Sequence, residues 1–352
     1  MSIISQNNRT AIVLLNLGGP DAPQSVRPFL FNLFNDPLIF RMPAFVRRPL
    51  AAFVSWRRDK KAQAIYAHMG GKSPLLEGTN AQADSLQESL KSLGNVKVFT
   101  CMRYWHPMSA EVVANVKDYA PDHIILLPLY PQYSTTTTLS SFRDWYTAAK
   151  RAELHTPTTE ICCYFTEPTF LASHAALIKE AMFEASAQGA PRVLYSAHGL
   201  PENIVKSGDP YQWQVEQTVA RLNAILGLNP AEAYATYQSR VGPLKWIGPS
   251  TEDEIRKAGS EKKPLVIVPI AFVSEHSETL VELDIEYREI ADHAGVPHYS
   301  RVPALGVHSD YIQTLQTLCL QVEAQTRRVS PPLAMRCPET FSECRCRTKE
   351  LA

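Results

Sequence analysis

The chain has 352 residues, of which 45% are hydrophobic and 20% are charged, and 35 Lys and Arg residues balance 35 Asp and Glu residues. This composition excludes a disordered or fibrous chain, and the lack of a basic excess argues against a nucleic-acid partner. At roughly 100–200 residues per domain, the length predicts two domains.

The first residues have neither the charged segment nor the long apolar segment of a signal peptide. The first apolar run, at 11–17, is too short to cross a bilayer, and no other run reaches spanning length. We therefore expect a cytoplasmic protein whose seven cysteines are thiols or metal ligands rather than disulfides.

Short apolar runs alternate with amphipathic segments along the chain, which is typical of an open α/β sheet. Unbroken runs rich in Val, Ile and Leu predict parallel strands covered on both faces, at 11–17, 123–129, 192–197 and 264–272. Helical patterns occupy the residues between them, at 80–93, 174–187, 211–226 and 277–291.

A weak internal similarity predicts two domains of one kind. The segment IVLLNLGGP at 12–20 resembles VLYSAHGLP at 193–201, and IILLPL at 124–129 resembles LVIVPI at 265–270, in the same order. We predict an N-terminal domain at 1–160, a C-terminal domain at 161–326 and an extension without this pattern at 327–352.

An acidic stripe follows the fourth predicted strand. On a helix, Glu278, Glu282 and Glu286 would line one face, where they repel one another and no Lys or Arg relieves them. Ligands bind beyond the carboxyl ends of strands in open α/β sheets, and His276 with carboxylates suits a divalent metal such as iron. A solvated acidic face is the structural alternative.

His198 directly follows the third predicted strand, in the segment SAHGLP. A single histidine in such a position is commonly a structural hydrogen-bonding residue. Its pKa near neutrality also suits it to act as a base or a metal ligand. The residues alone leave both roles open.

Taken together, these segments resemble the ferrochelatase family. The two most specific are SAHGLP at 196–201 and FVSEHSETLVELDIEY at 272–287, and the likeness continues through LGGP at 17–20, MRYWHP at 102–107 and QSRVGPLKWIGP at 238–249. It covers about residues 10–325 in the right order. The resemblance implies an α/β fold of the class II chelatase type, with two Rossmann-like domains, each an open parallel sheet flanked by helices, and a porphyrin cleft between them.

The resemblance also implies an activity, the insertion of ferrous iron into protoporphyrin IX with release of two protons to form haem. By resemblance, His198 accepts a pyrrole proton or ligates iron, and Glu278 is its partner across the cleft. Glu282 and Glu286 extend that line as a proton relay or a secondary metal site, and His276 orients the pair.

Porphyrin-binding residues follow from the same likeness. Leu17, Tyr66, Tyr104 and Trp246 match positions in the apolar wall of the family's pocket, and Arg103 and Ser73 match positions on the propionate side. The segment 30–61 mixes apolar and basic residues and resembles the lip over the cleft. Such a segment is also suited to transient contact with an anionic membrane surface, or to ordinary burial as a helix with basic ends.

Three cysteines, Cys337, Cys344 and Cys346, cluster in the tail, and in a reducing compartment this favours metal ligation, with zinc as one alternative. Nearby basic residues would stabilise thiolates, namely Arg336, Arg345, Arg347 and Lys349. Some ferrochelatases hold a 2Fe-2S cluster on such an extension, and the resemblance implies one here. Cys101 and Cys319 are predicted to be buried small residues.

A 2Fe-2S cluster requires a fourth thiolate. The family's animal members take it from the loop that matches 133–135, but position 135 here is Thr. Cys162 and Cys163 are the available replacements. We favour Cys163, because neighbouring strand residues point to opposite faces and only one of the two can face the tail.

Two other functions compete with ferrochelatase activity. One is a chelatase for another metal or a more reduced tetrapyrrole, in which clustered histidines would be expected instead of His198 with Glu278. The other is a non-catalytic tetrapyrrole carrier or sensor, for which a base aimed at pyrrole protons has no use. The protein is expected to be a monomer or a homodimer.

Overall fold

The structure is a computed structural model that describes residues 2–240, 242, 244–323, 327–329 and 336–346. It contains two compact units. The first comprises Met1–Tyr130, Ser134–Cys163 and Leu315–Ser330, and the second comprises Pro131–Tyr133, Tyr164–Thr314 and Pro331–Ala352. The boundaries after residues 160 and 326 stay predictions.

The strands are β1 (Arg9–Asn16), β2 (Asn95–Met102), β3 (His123–Pro128), β4 (Thr158–Ile161), β5 (Arg192–His198), β6 (Ala233–Gln238), β7 (Leu265–Pro269), β8 (Tyr299–Arg301) and β9 (Arg328–Val329). The α-helices are α1 (Val26–Phe34), α2 (Ala44–Ala67), α3 (Leu75–Leu90), α4 (Ser109–Tyr119), α5 (Ser140–Arg151), α6 (Pro168–Ser186), α7 (Glu202–Lys206), α8 (Tyr211–Leu226), α9 (Thr251–Ser260), α10 (Tyr287–Ala294) and α11 (Ser309–Leu320). A short 3-10 helix covers Pro23–Ser25, and π-helical segments cover Thr135–Leu139 and Glu278–Glu286.

The first unit is built on a five-stranded sheet with the order β2-β1-β3-β4-β9, and all its pairings are parallel. Every residue of β1 after Arg9 is buried, as is every residue of β3. Burial on both faces explains why these strands are unbroken apolar runs in the sequence.

The second unit is built on a four-stranded parallel sheet with the order β6-β5-β7-β8. In chain order its strands take the same places as β1 to β4 of the first sheet. The segments that resemble one another in sequence are thus equivalent strands, β1 with β5 and β3 with β7. The predicted α/β fold with two open parallel sheets is confirmed.

Several elements differ from the sequence-based predictions. The short strands β4 and β8, and the strands β2 and β6, which are not buried along their whole length, were not predicted, because they lack an unbroken apolar run. The helix predicted at 277–291 is a π-helix over Glu278–Glu286 that continues as α10. Among the described residues, no helix combines the length and the apolar character that a membrane span requires.

Candidate active site

His198 and Glu278 lie at the carboxyl ends of two neighbouring strands. His198 is the last residue of β5, and Glu278 begins the π-helix that follows β7. From β5, the next strand, β6, is added on one side and the following strand, β7, on the other, so the direction of strand addition reverses between β5 and β7 while all strands stay parallel. In open α/β sheets, this reversal opens a crevice beyond the strand ends where ligands bind.

The core of the second unit fixes the orientation of the π-helix. Leu283 and Tyr287 are buried in an apolar cluster with residues of α9, β5 and β7, among them Ile255, Leu194 and Ile267. The segment is therefore anchored along its apolar side. Hydrogen bonding from residue i to residue i+5 is rare and often marks a functional site.

The two side chains are joined by a hydrogen bond. Nδ1 of His198 lies 2.9 Å from Oε2 of Glu278, and the side chains are 39% and 26% exposed. Both belong to the second unit, so the expectation that Glu278 faces His198 from across a cleft is wrong. An ionised carboxylate only accepts, and Nδ1–H of His198 is therefore the donor. In the neutral ring, Nε2 then carries the lone pair.

Charge and burial have opposite effects on the pKa values of His198 and Glu278. Burial disfavours the protonated ring, but the charge and hydrogen bond of Glu278 outweigh it and raise the pKa of His198 above its ordinary value. Burial likewise disfavours the carboxylate, yet His198 and then His276 hold the pKa of Glu278 well below its ordinary value. The pair is thus suited to carry a proton on His198 and a negative charge on Glu278.

His276 lies beside this pair and is nearly buried. Its Nδ1 is 3.1 Å from the carbonyl oxygen of Ser274, which only accepts, so Nδ1 carries a proton. Its Nε2 is 3.8 Å from Oε2 of Glu278, and its ring packs on that of Phe272 at 4.7 Å between centroids. His276 is therefore held in one orientation toward Glu278.

Glu282 occupies a second polar position, one turn along the π-helix. Its carboxylate accepts from the backbone N–H of Ser239 at 2.8 Å, the Ser239 hydroxyl at 2.5 Å, the Gln238 amide at 2.9 Å and the Tyr287 hydroxyl at 3.0 Å. Burial and then the charge of Glu278 raise the pKa of Glu282, despite these hydrogen bonds. Glu286 is exposed, so the three carboxylates run from the site to solvent.

Five of the six predicted porphyrin-binding residues lie in the first unit. Tyr66 and Tyr104 are buried in one apolar cluster, and Leu17 packs against it. Ser73 is buried, and its hydroxyl accepts from the backbone N–H of Leu75 at the start of α3. Trp246 lies in the second unit, bridged to Pro201 near the end of β5.

Arg103 is tied into a buried polar network of the first unit. Its Nη2 donates to Asp36 at 2.9 Å, its Nε donates to Ser140 at 2.7 Å, and its Nη1 is 3.6 Å from Asp144. The Tyr104 hydroxyl donates to the same Asp36 oxygen at 2.7 Å. Asp36 and Asp144 already compensate the charge of Arg103, so a propionate bound there would compete with Asp144, the more exposed partner.

The tail cysteines form a second cluster, within the second unit. Cys337 and Cys344 are buried and Cys346 is partly exposed. The thiols of Cys337 and Cys344 interact, as do those of Cys344 and Cys346, and the interaction with Cys344 and burial raise the pKa of Cys337. Arg345 is buried and Arg336 exposed, whereas Arg347 and Lys349 lie outside the described residues.

The remaining cysteines are all buried, in the first unit. Cys162 and Cys163 follow the end of β4 rather than lying within a strand. Strand alternation therefore does not separate the two, and the choice of Cys163 over Cys162 stays a prediction. Burial raises the pKa of Cys101 to about 12, and it also raises that of Cys319. Their prediction as buried small residues is confirmed.

Some residues that contact the predicted site residues were not identified from the sequence. Asp36 has the local sequence Asn35-Asp36-Pro37, which is typical of a turn. Tyr211, at the start of α8, is buried, and its hydroxyl accepts from the backbone N–H of His198. Gln214, one turn further on, contacts Cys337. Contacts so distant in sequence leave no local pattern.

The chain is similar to known proteins in sequence and in fold. A family model described as Ferrochelatase matches residues 9–323. Proteins named Ferrochelatase from Caulobacter vibrioides and Pelagibacter ubique are 50% and 46% identical over 343 residues, each covering 96% of this chain and 98% of the relative. The structure of the sirohydrochlorin chelatase SirB from Bacillus subtilis subspecies spizizenii, in complex with cobalt, aligns with a TM-score of 0.53 at 9% identity. That alignment covers 88% of this chain and 93% of the other, and it shows a shared fold alone.

Proposed function

The chain belongs to the ferrochelatase family and is thus a metal chelatase, and from this premise we propose how its residues insert ferrous iron into protoporphyrin IX. The observation that carries the proposal is the hydrogen bond between His198 and Glu278 at the reversal point of the second sheet. It supplies a base with a fixed tautomer where ligands bind in such sheets.

Metallation replaces two pyrrole protons by one ferrous ion, so the site has to accept two protons for each ion inserted. In this proposal, Nε2 of His198 takes a pyrrole proton, and the carboxylate of Glu278 stabilises the imidazolium that forms. Direct ligation of the incoming iron by His198 or Glu278 is the alternative role for the same atoms. His276 orients Glu278 through the contact at 3.8 Å.

The departing proton needs a path to solvent. The raised pKa of Glu282 suits it to hold a proton transiently, and Glu286 is exposed. We propose that Glu282 and Glu286 pass the proton outward, or hold a secondary metal ion. Leu17, Tyr66, Tyr104 and Trp246 would supply the apolar wall for the porphyrin, with Arg103 and Ser73 on the propionate side.

The tail cysteines fit a metal–sulfur site. The Cys344 thiol interacts with those of Cys337 and Cys346, and its contact with Cys337, together with burial, raises the pKa of Cys337, so a thiolate there requires a cation to compensate its charge. We propose that Cys337, Cys344 and Cys346 hold a 2Fe-2S cluster, with Cys163 as the fourth ligand. Such a cluster supplies a one-electron redox couple. Zinc on the same thiols is the alternative.

Helix α2 supports a proposal for membrane contact. Phe45, Phe53 and Trp56 are 79%, 54% and 59% exposed, and the helix carries several Arg and Lys residues. Exposed aromatic side chains beside cations are suited to an anionic membrane surface. Cytoplasmic location with peripheral membrane contact, and a monomeric or homodimeric state, stay predictions.

An anaerobic assay with protoporphyrin and ferrous iron tests the proposed activity. Porphyrin fluorescence should be lost as haem absorption bands appear. His198→Ala should abolish metallation while porphyrin still binds, and His293→Ala, on the exposed face of α10, is the matched control. Activity that survives His198→Ala overturns the assignment of the base. Tight porphyrin binding without insertion of iron, zinc or cobalt by the wild-type protein would favour a carrier.

A further inference from the structure

The described part of the tail lies on the residues that lead into α8. The Phe341 ring is 5.9 Å from that of Trp213, and the backbone N–H of Glu343 donates to the carbonyl of Gly208 at 3.2 Å. Gly208 has a φ of +103°, and a Cβ there would overlap the Ser342 side chain and lie 3.0 Å from its backbone nitrogen. The tail therefore packs on a surface formed by Gly208 and the first turn of α8, and this packing requires glycine at position 208.

Gln214, in the first turn of α8, is fully buried and contacts Cys337. Its Oε1 accepts from the backbone N–H of Tyr133 at 2.7 Å. A peptide N–H only donates, so this contact must go to the amide oxygen, and the orientation of the side chain follows from it. The amide NH₂ group therefore faces Cys337, with Nε2 at 3.1 Å from Sγ.

The strength of the hydrogen bond from Gln214 to Cys337 depends on the charge of the sulfur. A thiol sulfur is a weak acceptor, whereas a thiolate or a metal-bound sulfur carries negative charge and accepts strongly. Both partners are buried, and a buried amide N–H is costly to leave without an acceptor. The contact therefore stabilises Cys337 in the anionic form that ligates metal.

We propose that Gln214 is a positioning residue of the cysteine site, whose amide N–H holds the Cys337 sulfur and raises the reduction potential of the metal–sulfur centre. The inference rests on the proposed 2Fe-2S site of the tail. Reduction adds one electron, hence one negative charge, to the centre. A hydrogen bond to a ligand sulfur stabilises that added charge, and hydrogen bonds to sulfur are among the factors that set the potential.

The test uses the full chain, purified without oxygen and reconstituted with iron and sulfide. Gln214→Leu removes the N–H donor and also the acceptor for the Tyr133 N–H, whereas Gln214→Glu keeps that acceptor and replaces the donor by a carboxylate oxygen. Gln212→Leu is the matched control, because the Gln212 amide donates to Glu216 on the exposed side of the same helix. The readouts are the visible absorption and its potentiometric titration, with thermal unfolding followed in parallel.

Both Gln214 variants should titrate at a more negative potential than the wild type, and Gln212→Leu should match the wild type. For Gln214→Leu we expect at least a tenfold change in the redox equilibrium, which is about 59 mV for a one-electron couple. A second result would also support the proposal: both Gln214 variants, but not Gln212→Leu, lose the visible absorption while their melting temperatures stay unchanged. The cluster would then be lost because Gln214 no longer positions the Cys337 sulfur.

A wild-type potential in either Gln214 variant overturns the role of Gln214 while leaving the cluster intact. If the reconstituted wild-type protein itself shows no charge-transfer absorption, the cluster assignment has failed, and the role of Gln214 falls with it. The spectrum of the wild-type protein thus distinguishes a failure of the proposed role of Gln214 from a failure of the cluster assignment.

Discussion

Nδ1 of His198 donates to Oε2 of Glu278 over 2.9 Å, and this contact fixes which ring nitrogen can act on a substrate. The same relationship between a base and an orienting carboxylate is found in many enzymes that move protons. Here it is formed at the ends of two adjacent parallel strands. The carboxylate stays ionised because His198 and His276 hold its pKa low.

Replacing Glu278 by Gln should slow metallation. The variant loses the negative charge that raises the pKa of His198, so the ring becomes a weaker base. General acid–base catalysis contributes typically about 10²–10⁴-fold, and we expect a loss of kcat within that range. The measurement is the rate of zinc or iron insertion, with porphyrin affinity followed by fluorescence. Glu289→Gln, on the exposed face of α10, is the control, and an unchanged kcat in Glu278→Gln would contradict the role.

Replacing Asp36 by Asn should destabilise the first unit. Asp36 is buried and accepts from Arg103, Tyr104 and Ser140, and the variant leaves Arg103 without its closest carboxylate. Breaking a buried ion pair from one side costs about 3–5 kcal/mol in the free energy of unfolding. Urea denaturation measures the loss, and Asp118→Asn, at an exposed position of α4, should unfold like the wild type. A loss below about 1 kcal/mol, the average for any point mutation, would show that the network is not structural.

Acid should weaken the second unit partly through Glu275. Burial raises the pKa of this carboxyl, but Arg301 at 2.9 Å and the backbone N–H of Ala304 outweigh burial and hold it below 4.5. A carboxyl with a depressed pKa in the folded state contributes stability above its unfolded pKa, and that stability is lost as pH falls. Urea unfolding from pH 7 downward should therefore show a steeper loss below pH 4.5 in the wild type than in Glu275→Gln. Parallel curves would exclude this contribution.

The fourth ligand of the proposed cluster can be found by paired substitutions. Ser in place of Cys337, Cys344 or Cys346 should remove the visible charge-transfer absorption, and Cys163→Ser should do the same. Cys162→Ser should keep the absorption, as should Cys319→Ala in α11. If Cys162→Ser removes the absorption and Cys163→Ser keeps it, Cys162 is the ligand. If the Ser variants of Cys337, Cys344 and Cys346 all keep the absorption, the cluster site is refuted.

Much of the fold was predictable because its central strands are buried on both faces. β1, β3, β5 and β7 are unbroken apolar runs, and these runs also revealed the likeness of the two halves. The edge strands were missed because one side of β2 and β6 is partly exposed, which breaks the apolar pattern. The π-helix was predicted as an α-helix, since the two share the same amphipathic signal over so short a segment.

The sequence indicated which residues form the candidate site, but it did not show which of them contact one another. Position after a strand indicated His198, and regular spacing indicated Glu278 and Glu282. Nothing in the sequence showed that His198 and Glu278, 80 residues apart, share a hydrogen bond. The partners of Arg103 were likewise hidden, because Asp36 and Ser140 are brought to it only by the packing of α1 and α5 around the first sheet.

The first turn of α8 has a practical consequence for work with this enzyme. Tyr211 supports the backbone of His198, and Gln214, one turn later, holds Cys337. A preparation in which the proposed cluster site is empty should therefore lose turnover as well, even with every catalytic side chain intact. On the proposed cluster assignment, specific activities become comparable between preparations only when each rate is divided by the iron and sulfide content per chain.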